Sequence, residues 1–232
     1  AELVLSALDK PMDRFLDYAL WLSLNDLARP WCEAVQSGAW KVDGRERQLE
    51  FGLQAIEPSL AGPLLAQLLQ ARPMPRDGAG PWIELIGKTG ASRELQLLFD
   101  QIVQSRFEPR AAVRALNALA QAARLRNAKP SGDLTSVGNV LQNSSEELRE
   151  AAVRLAGAWK LNALTTSLLG QAKDKSTSPA VRKAVFESLR EIGGAEVIRG
   201  LAQLGTKDNH PAIRRETALT LAALNMEKAL PL

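Results

Sequence analysis

The chain has 232 residues, 46% apolar and 24% charged, an ordinary balance for a folded protein that buries a core. Its 29 basic and 26 acidic side chains leave a net charge of +3, too small an excess to argue by itself for nucleic acid. A single cysteine, Cys32, excludes an internal disulfide framework, and a single histidine, His210, excludes His-rich metal sites and a C-x-x-C-H haem attachment within the chain. No run of 18 apolar residues is present, so no membrane span is expected. The start, Ala1-Glu2-Leu3-Val4-Leu5, resembles neither a signal peptide nor an initiator methionine, as expected of an excised domain or a mature product.

In chain order, residues 1–9 read as a short apolar helix broken at Asp9-Lys10-Pro11. Asp13 caps a helix from Arg14 to Leu27, with Leu16, Leu20, Leu24 and Leu27 in one stripe and Phe15, Tyr18 and Leu22 in a second. A helix apolar on two faces is expected to pack on both. Pro30 begins the next helix, with Trp31 and Val35 inward, and Ala39 to Gly44 is a turn that should expose Trp40. Leu49, Gly52, Leu53 and Ile56 fall at i, i+3, i+4, i+7, a single helical face. Pro58 and Pro63 punctuate, Leu64 to Leu69 continues as a partner helix, and the two prolines and glycine of Arg72 to Gly78 make a loop. Trp82 to Ile86 is a helix stopped by Gly87 and Gly90, and Ser92 to Gln104 turns Leu95, Leu98, Phe99 and Ile102 inward. Pro109 suits a first helical turn, and the helix it opens buries Ala111, Ala115, Leu116, Leu119 and Ala122. The polar, basic stretch Arg124 to Asp133 reads as an insertion, followed by a helix from Leu134 to Leu141 and a turn at Asn143-Ser144-Ser145.

The next stretch repeats. Glu146-Glu147-Leu148-Arg149, Pro179-Ala180-Val181-Arg182 and Pro211-Ala212-Ile213-Arg214 open three helices, and their arginines are 33 and 32 residues apart. Aligned on those arginines, one column before holds Leu148, Val181 and Ile213, and three after holds Ala152, Val185 and Thr217. Four after come Val153, Phe186 and Ala218; seven after, Ala156, Leu189 and Leu221; ten after, Trp159, Ile192 and Leu224. The Pro109 helix fits with Ala112 in the arginine's place. These columns trace one helical face, broken only by Thr217, which can bond back to its own helix. Leu161 to Ala172 and Ala195 to Leu204 are the partner helices, and Gly193-Gly194 and Gly87 mark exits that a positive φ would require. The whole reads as ten to twelve antiparallel helices in five or six hairpins that share a continuous core.

Asp174…Pro179-Ala180-Val181-Arg182 and Asp208…Pro211-Ala212-Ile213-Arg214 resemble the HEAT-repeat family. That resemblance, over about residues 45–225, implies an all-α fold, a right-handed α-solenoid of stacked antiparallel hairpins spanning 1–232. Within it lie divergent N-terminal helices (1–44), divergent repeats (45–145) and regular repeats (146–225). It also implies a structural ladder of Arg149, Arg182 and Arg214 with turn acids such as Asp174 and Asp208, broken where Asn143 replaces the acid and Ala112 the arginine. A narrower resemblance lies in Arg14-Phe15-Leu16-Asp17-Tyr18-Ala19-Leu20-Trp21-Leu22-Ser23-Leu24-Asn25-Asp26-Leu27 and Pro30-Trp31. It is similar to the HEAT segment of large secreted planctomycete-type proteins that join a sugar-dehydrogenase-like propeller, helical repeats and a c-type cytochrome domain. It implies a module without haem or quinone chemistry of its own, in a secreted or periplasmic setting; without it a cytoplasmic one is expected.

Residues that could carry chemistry have simpler readings. Gly87-Lys88-Thr89 lacks the earlier glycine of a phosphate loop, since Trp82 stands there, and it follows a helix. His210, beside Asp208, has no nucleophile spaced to partner it and reads as a solvated or capping residue, and Cys32 beside Trp31 as a small core residue. No catalytic set, metal site or cofactor site is expected. The repeat arginines read as struts, leaving Arg114, Arg154, Lys183, Arg190, Arg215 and Trp40 as a candidate partner surface. Trp21, Trp31, Trp82 and Trp159 are expected in packing. The expected function is a non-catalytic scaffold for a protein partner or neighbouring domains. An alkylpurine DNA glycosylase of HEAT-like fold is the alternative; it requires a catalytic Asp, flanking tryptophans and a basic groove. A bilin lyase or chaperone rests on fold analogy alone.

Overall fold

A computed structural model describes residues 1–71, 74–143, 145–206 and 210–230, and among them every regular element is helical, as the all-α solenoid expectation requires. The chain forms two compact units, Ala1–Ala118 with Ala128–Pro130, and Leu119–Asn127 with Ser131–Leu232. The division falls inside one helix.

In the first unit, α1 (Glu2–Ser6) ends in a 3-10 turn. The Asp13 carboxylate then accepts the Phe15 and Leu16 N–H groups at 2.9 and 2.8 Å and starts α2 (Arg14–Asp26). Only one of its two stripes is covered. Leu20 and Leu24 are buried, whereas Phe15 and Tyr18 are 69% and 61% exposed and Trp21 and Leu22 also face outward. The expectation of packing on both faces is corrected: α1, α3 (Ala28–Gln36) and α4 (Glu46–Ala55) gather around α2, and the aromatic stripe stays uncovered.

Trp40 is also corrected. It is 4% exposed, because its backbone N–H donates to the Ala34 carbonyl at 2.9 Å and folds the turn back on α3. Its ring meets Trp31 edge-on, centroids 5.9 Å apart, and the Arg45 guanidinium lies over it. Gly52 of α4 makes room for this pair, since a Cβ there would stand 2.3 Å from the Trp31 ring. Helix α5 (Pro58–Ala71) runs unbroken through Pro63, which faces solvent, so the expected interruption is absent. Arg72 and Pro73 lie outside the described residues. Helix α6 (Trp82–Thr89) likewise passes through Gly87, where the backbone is not left-handed. That glycine instead admits Ala118, whose Cβ would be 2.8 Å from an added Cβ. Then come α7 (Ser92–Val103) and α8 (Pro109–Arg126); α8 extends into the stretch expected to be a loop and stops at Asn127, φ +53°.

The second unit carries the repeats. Residues Leu134–Gln142 form the helix expected there, wound as a 3-10 helix. They are followed by α9 (Glu146–Ala158), α10 (Thr165–Lys173), α11 (Pro179–Ile192), α12 (Gly194–Leu204), α13 (Pro211–Leu224) and α14 (Met226–Ala229). Helices α9, α11 and α13 pack side by side as one layer, and α10 and α12 as the other. Ser145 and Ser178 cap α9 and α11, and the His210 Nδ1 accepts the Ala212 N–H at 3.3 Å at the head of α13. Every residue of the first, second and fourth columns is buried; Ala218 and Leu224 are half-buried. Thr217 donates to the Ile213 carbonyl at 2.7 Å, which satisfies its hydroxyl inside the core. Gly193 and Gly194 have φ of +65° and +84°, the left-handed exit expected between α11 and α12.

Candidate interaction surface

The repeat arginines open their helices from half-buried positions. Arg182 Nη2 donates to the carbonyls of Asp174 and Thr177, both at 2.8 Å. The Asp174 carboxylate faces elsewhere: it accepts the Ser176 N–H at 2.9 Å and the Ser176 hydroxyl at 2.8 Å. Those two bonds, with a smaller contribution from the Arg182 charge, hold its carboxyl below the ordinary range. The expected Arg–Asp ladder is therefore replaced here by a strut from arginine to the backbone of the turn before its own helix. The reason is geometric: Asp174 is already closed into an Asx turn with Ser176. Asp208 lies outside the described residues. Arg149 and Arg214 share with Arg182 a buried Nε that has no partner among the described residues, so the three stems are seated alike.

Cross-links between helices come from other residues. Arg114 of α8 grips Glu84 of α6 with Nε and Nη2, both at 2.8 Å, and its Nη1 donates to the Gly78 carbonyl at 3.0 Å. Burial alone would raise the Glu84 carboxyl, but hydrogen bonds from Arg114 and its own backbone outweigh this and hold it below the ordinary range. Arg154 of α9 donates to Glu150 and, across to α11, to Glu187 at 2.9 Å. Arg124 reaches Glu191 at 2.9 Å. On the candidate partner surface, Arg114 and Arg154 stay part-exposed with guanidinium groups engaged within their own units. Trp40 leaves it through burial.

Lys183, Arg190 and Arg215 remain. All three are exposed, and none makes an ion pair among the described residues. Lys183 and Arg190 border a groove of about 230 Å³ between α11 and α13, lined also by Glu187, Glu216, Thr220, the exposed Leu219 and the edge of the buried Phe186. Leu219 is 58% exposed. Reading for core columns alone missed it. Extending the overlay to the column five residues after the arginine would have found it, since Arg154 and Glu187 occupy that column in α9 and α11.

The other candidates are placed plainly. Gly87-Lys88-Thr89 is helical; Lys88 pairs with Glu50 at 2.9 Å and Thr89 bonds the Leu85 carbonyl. Cys32 is buried, and burial, then the nearby Glu33, pushes its thiol up, away from thiolate. Among the described residues no three His, Cys, Asp or Glu side chains are grouped to hold a metal ion, and no helix is long and apolar enough to cross a membrane. Trp31, Trp40, Trp82 and Trp159 are buried, which leaves only Trp21 able to flank an extruded base.

Residues 134–222 match the family model for HEAT repeats. No curated protein matches the chain. The matched stretch is similar to a family whose repeats commonly serve as interaction scaffolds and are typically non-catalytic.

Proposed function

We propose that this chain is a non-catalytic protein-interaction scaffold that works as a module of a larger multidomain protein. The observation that supports it best is the unequal use of cations on the repeats. Arg114, Arg124 and Arg154 are tied to glutamates, whereas Lys183 and Arg190 stand exposed on a groove that Leu219 also lines, and Arg215 stands exposed one helical turn before Leu219. A solvated cation adds little to folding, so a cluster beside exposed leucine is best suited to meeting a partner. The opening motif from Arg14 to Leu27 supports a setting beside a dehydrogenase-like propeller and a c-type cytochrome domain, and with it a secreted or periplasmic location.

Cross-linking mass spectrometry on the full-length natural protein tests the reading. Cross-links from Lys183 to a neighbouring domain or a co-purifying protein are expected. Full-length protein in which Lys183 links only to its own repeats would count against it. A fluorescence titration with duplex DNA at low salt gives the independent check: salt-sensitive binding would favour the glycosylase alternative, for which no structural feature speaks here.

A further inference from the structure

The column five residues after the repeat arginine distinguishes two neighbouring junctions. It holds Arg154 in α9, Glu187 in α11 and Leu219 in α13. Arg154 and Glu187 bridge α9 to α11 at 2.9 Å. Glu187 is thereby turned toward α9, and α13 offers a leucine where a cation would have continued the bridge. The α11–α13 groove opens at this level, with Phe186 and Thr220 beneath and Leu219 on its wall.

The charges around the groove are unequal in availability. Glu150 and Glu187 are engaged by Arg154, and Glu191 by Arg124. Lys183 and Arg190 are not paired among the described residues, and Arg215 lies one helical turn before Leu219. Of the acids lining the groove, only Glu216 lacks a bound cation among the described residues.

We infer that the α11–α13 groove receives an acidic peptide segment of a partner protein, anchored by one apolar side chain against Leu219 and Phe186. This rests on the scaffold reading and names its partner chemistry. Lys183 and Arg190 are seven residues apart on one helix, a rise of about 10 Å. On an extended chain residues i, i+2 and i+4 face the same side, so two acids four apart lie about 13 Å from each other with the residue midway on that same side, within reach of the long Lys183 and Arg190 stems. The groove therefore fits an extended segment with two acids four apart and an apolar residue midway between them. A nucleic acid fits less well. Its backbone supplies no apolar anchor for Leu219.

A random dodecapeptide display library, panned on the purified chain, tests this, with the best peptides resynthesised carrying fluorescein and titrated by anisotropy. The selected pool should be rich in Asp and Glu around one large apolar residue. Affinity should fall at least about tenfold in Lys183→Glu/Arg190→Glu and again in Leu219→Ala, with melting unchanged, and should weaken with added salt. A charge-reversed peptide should regain binding to the doubly reversed variant, which a folding defect could not produce. Neutral or basic peptides, or acidic ones indifferent to all three substitutions, would sink the groove and leave the scaffold reading standing. No enrichment of any peptide would sink both. Tighter binding of single-stranded DNA, with the same sensitivity to the variants, would overturn the peptide in favour of nucleic acid.

Discussion

The α9–α11 and α11–α13 junctions are made from the same columns and packed differently. In the first, Gly157 lies so close to Ser188 that an added Cβ would stand 2.8 Å from its Cα, and Ser188 donates to the Val153 carbonyl at 2.8 Å. Arg154 and Glu187 close the rim. In the second, Arg190 occupies the column of Gly157, and Leu219 occupies that of Arg154. Core columns make a repeat stack; the columns beside them decide whether a junction is sealed or left open for something else.

The largest expected effect attacks the sealed junction. Alanine in place of a mid-helix glycine normally stabilises by about 1 kcal/mol. At Gly157 the sign should reverse, because the new Cβ meets the Ser188 backbone: Gly157→Ala should lose about 1–3 kcal/mol in urea denaturation. Gly170 in α10 has open space around its Cβ position and is the control; Gly170→Ala should gain about 0.5–1 kcal/mol. Equal responses at the two glycines would show that the close approach is not real.

Two side-chain deletions follow. Ser188→Ala removes a buried donor and should cost about 1 kcal/mol. Arg182→Ala should cost a similar amount, about 1 kcal/mol, by freeing two turn carbonyls. It should lower melting more than it lowers any partner affinity; unchanged melting with lost binding would return this arginine to the binding surface.

Arg154→Ala should be milder, up to about 1 kcal/mol and smaller in high salt, since both partners are over a third exposed. It should also free Glu187, so acidic peptides would bind the adjacent groove less well. Intact peptide affinity in this variant would mean that the two junctions are electrostatically independent.

The smallest effect concerns the comparable α6–α8 bridge of the first unit. The Glu84 carboxyl is held below its unfolded value, so the unfolded chain takes up its proton first on acidification. The stability it contributes is present above the ordinary carboxylate range and lost as pH falls through the folded value. Glu84→Gln should therefore make the acid limb of a stability–pH curve slightly shallower; a steeper limb would contradict the assignment.

Much of the molecule was legible beforehand. The Asp13 cap, the Leu49–Gly52–Leu53–Ile56 face, the repeat columns and the back-bonded Thr217 all depend on spacing along one helix, and spacing is written in the chain. The failures share a cause. Trp40 and the Phe15–Tyr18–Leu22 stripe were misplaced because burial depends on which distant element arrives. Gly87 and Pro63 were misread as stops because their effect turns on what faces them: Ala118 in one case, solvent in the other.

The sequence alone determined that the chain is helical, that it repeats at about 33 residues, and which face of each repeat helix is core. It could do so because helical periodicity is a local property. The tertiary structure alone decided which cations are tied to glutamates and that Leu219 opens a groove. Those outcomes depend on distances between helices some thirty residues apart, where a shift of an ångström separates a salt bridge from an exposed charge.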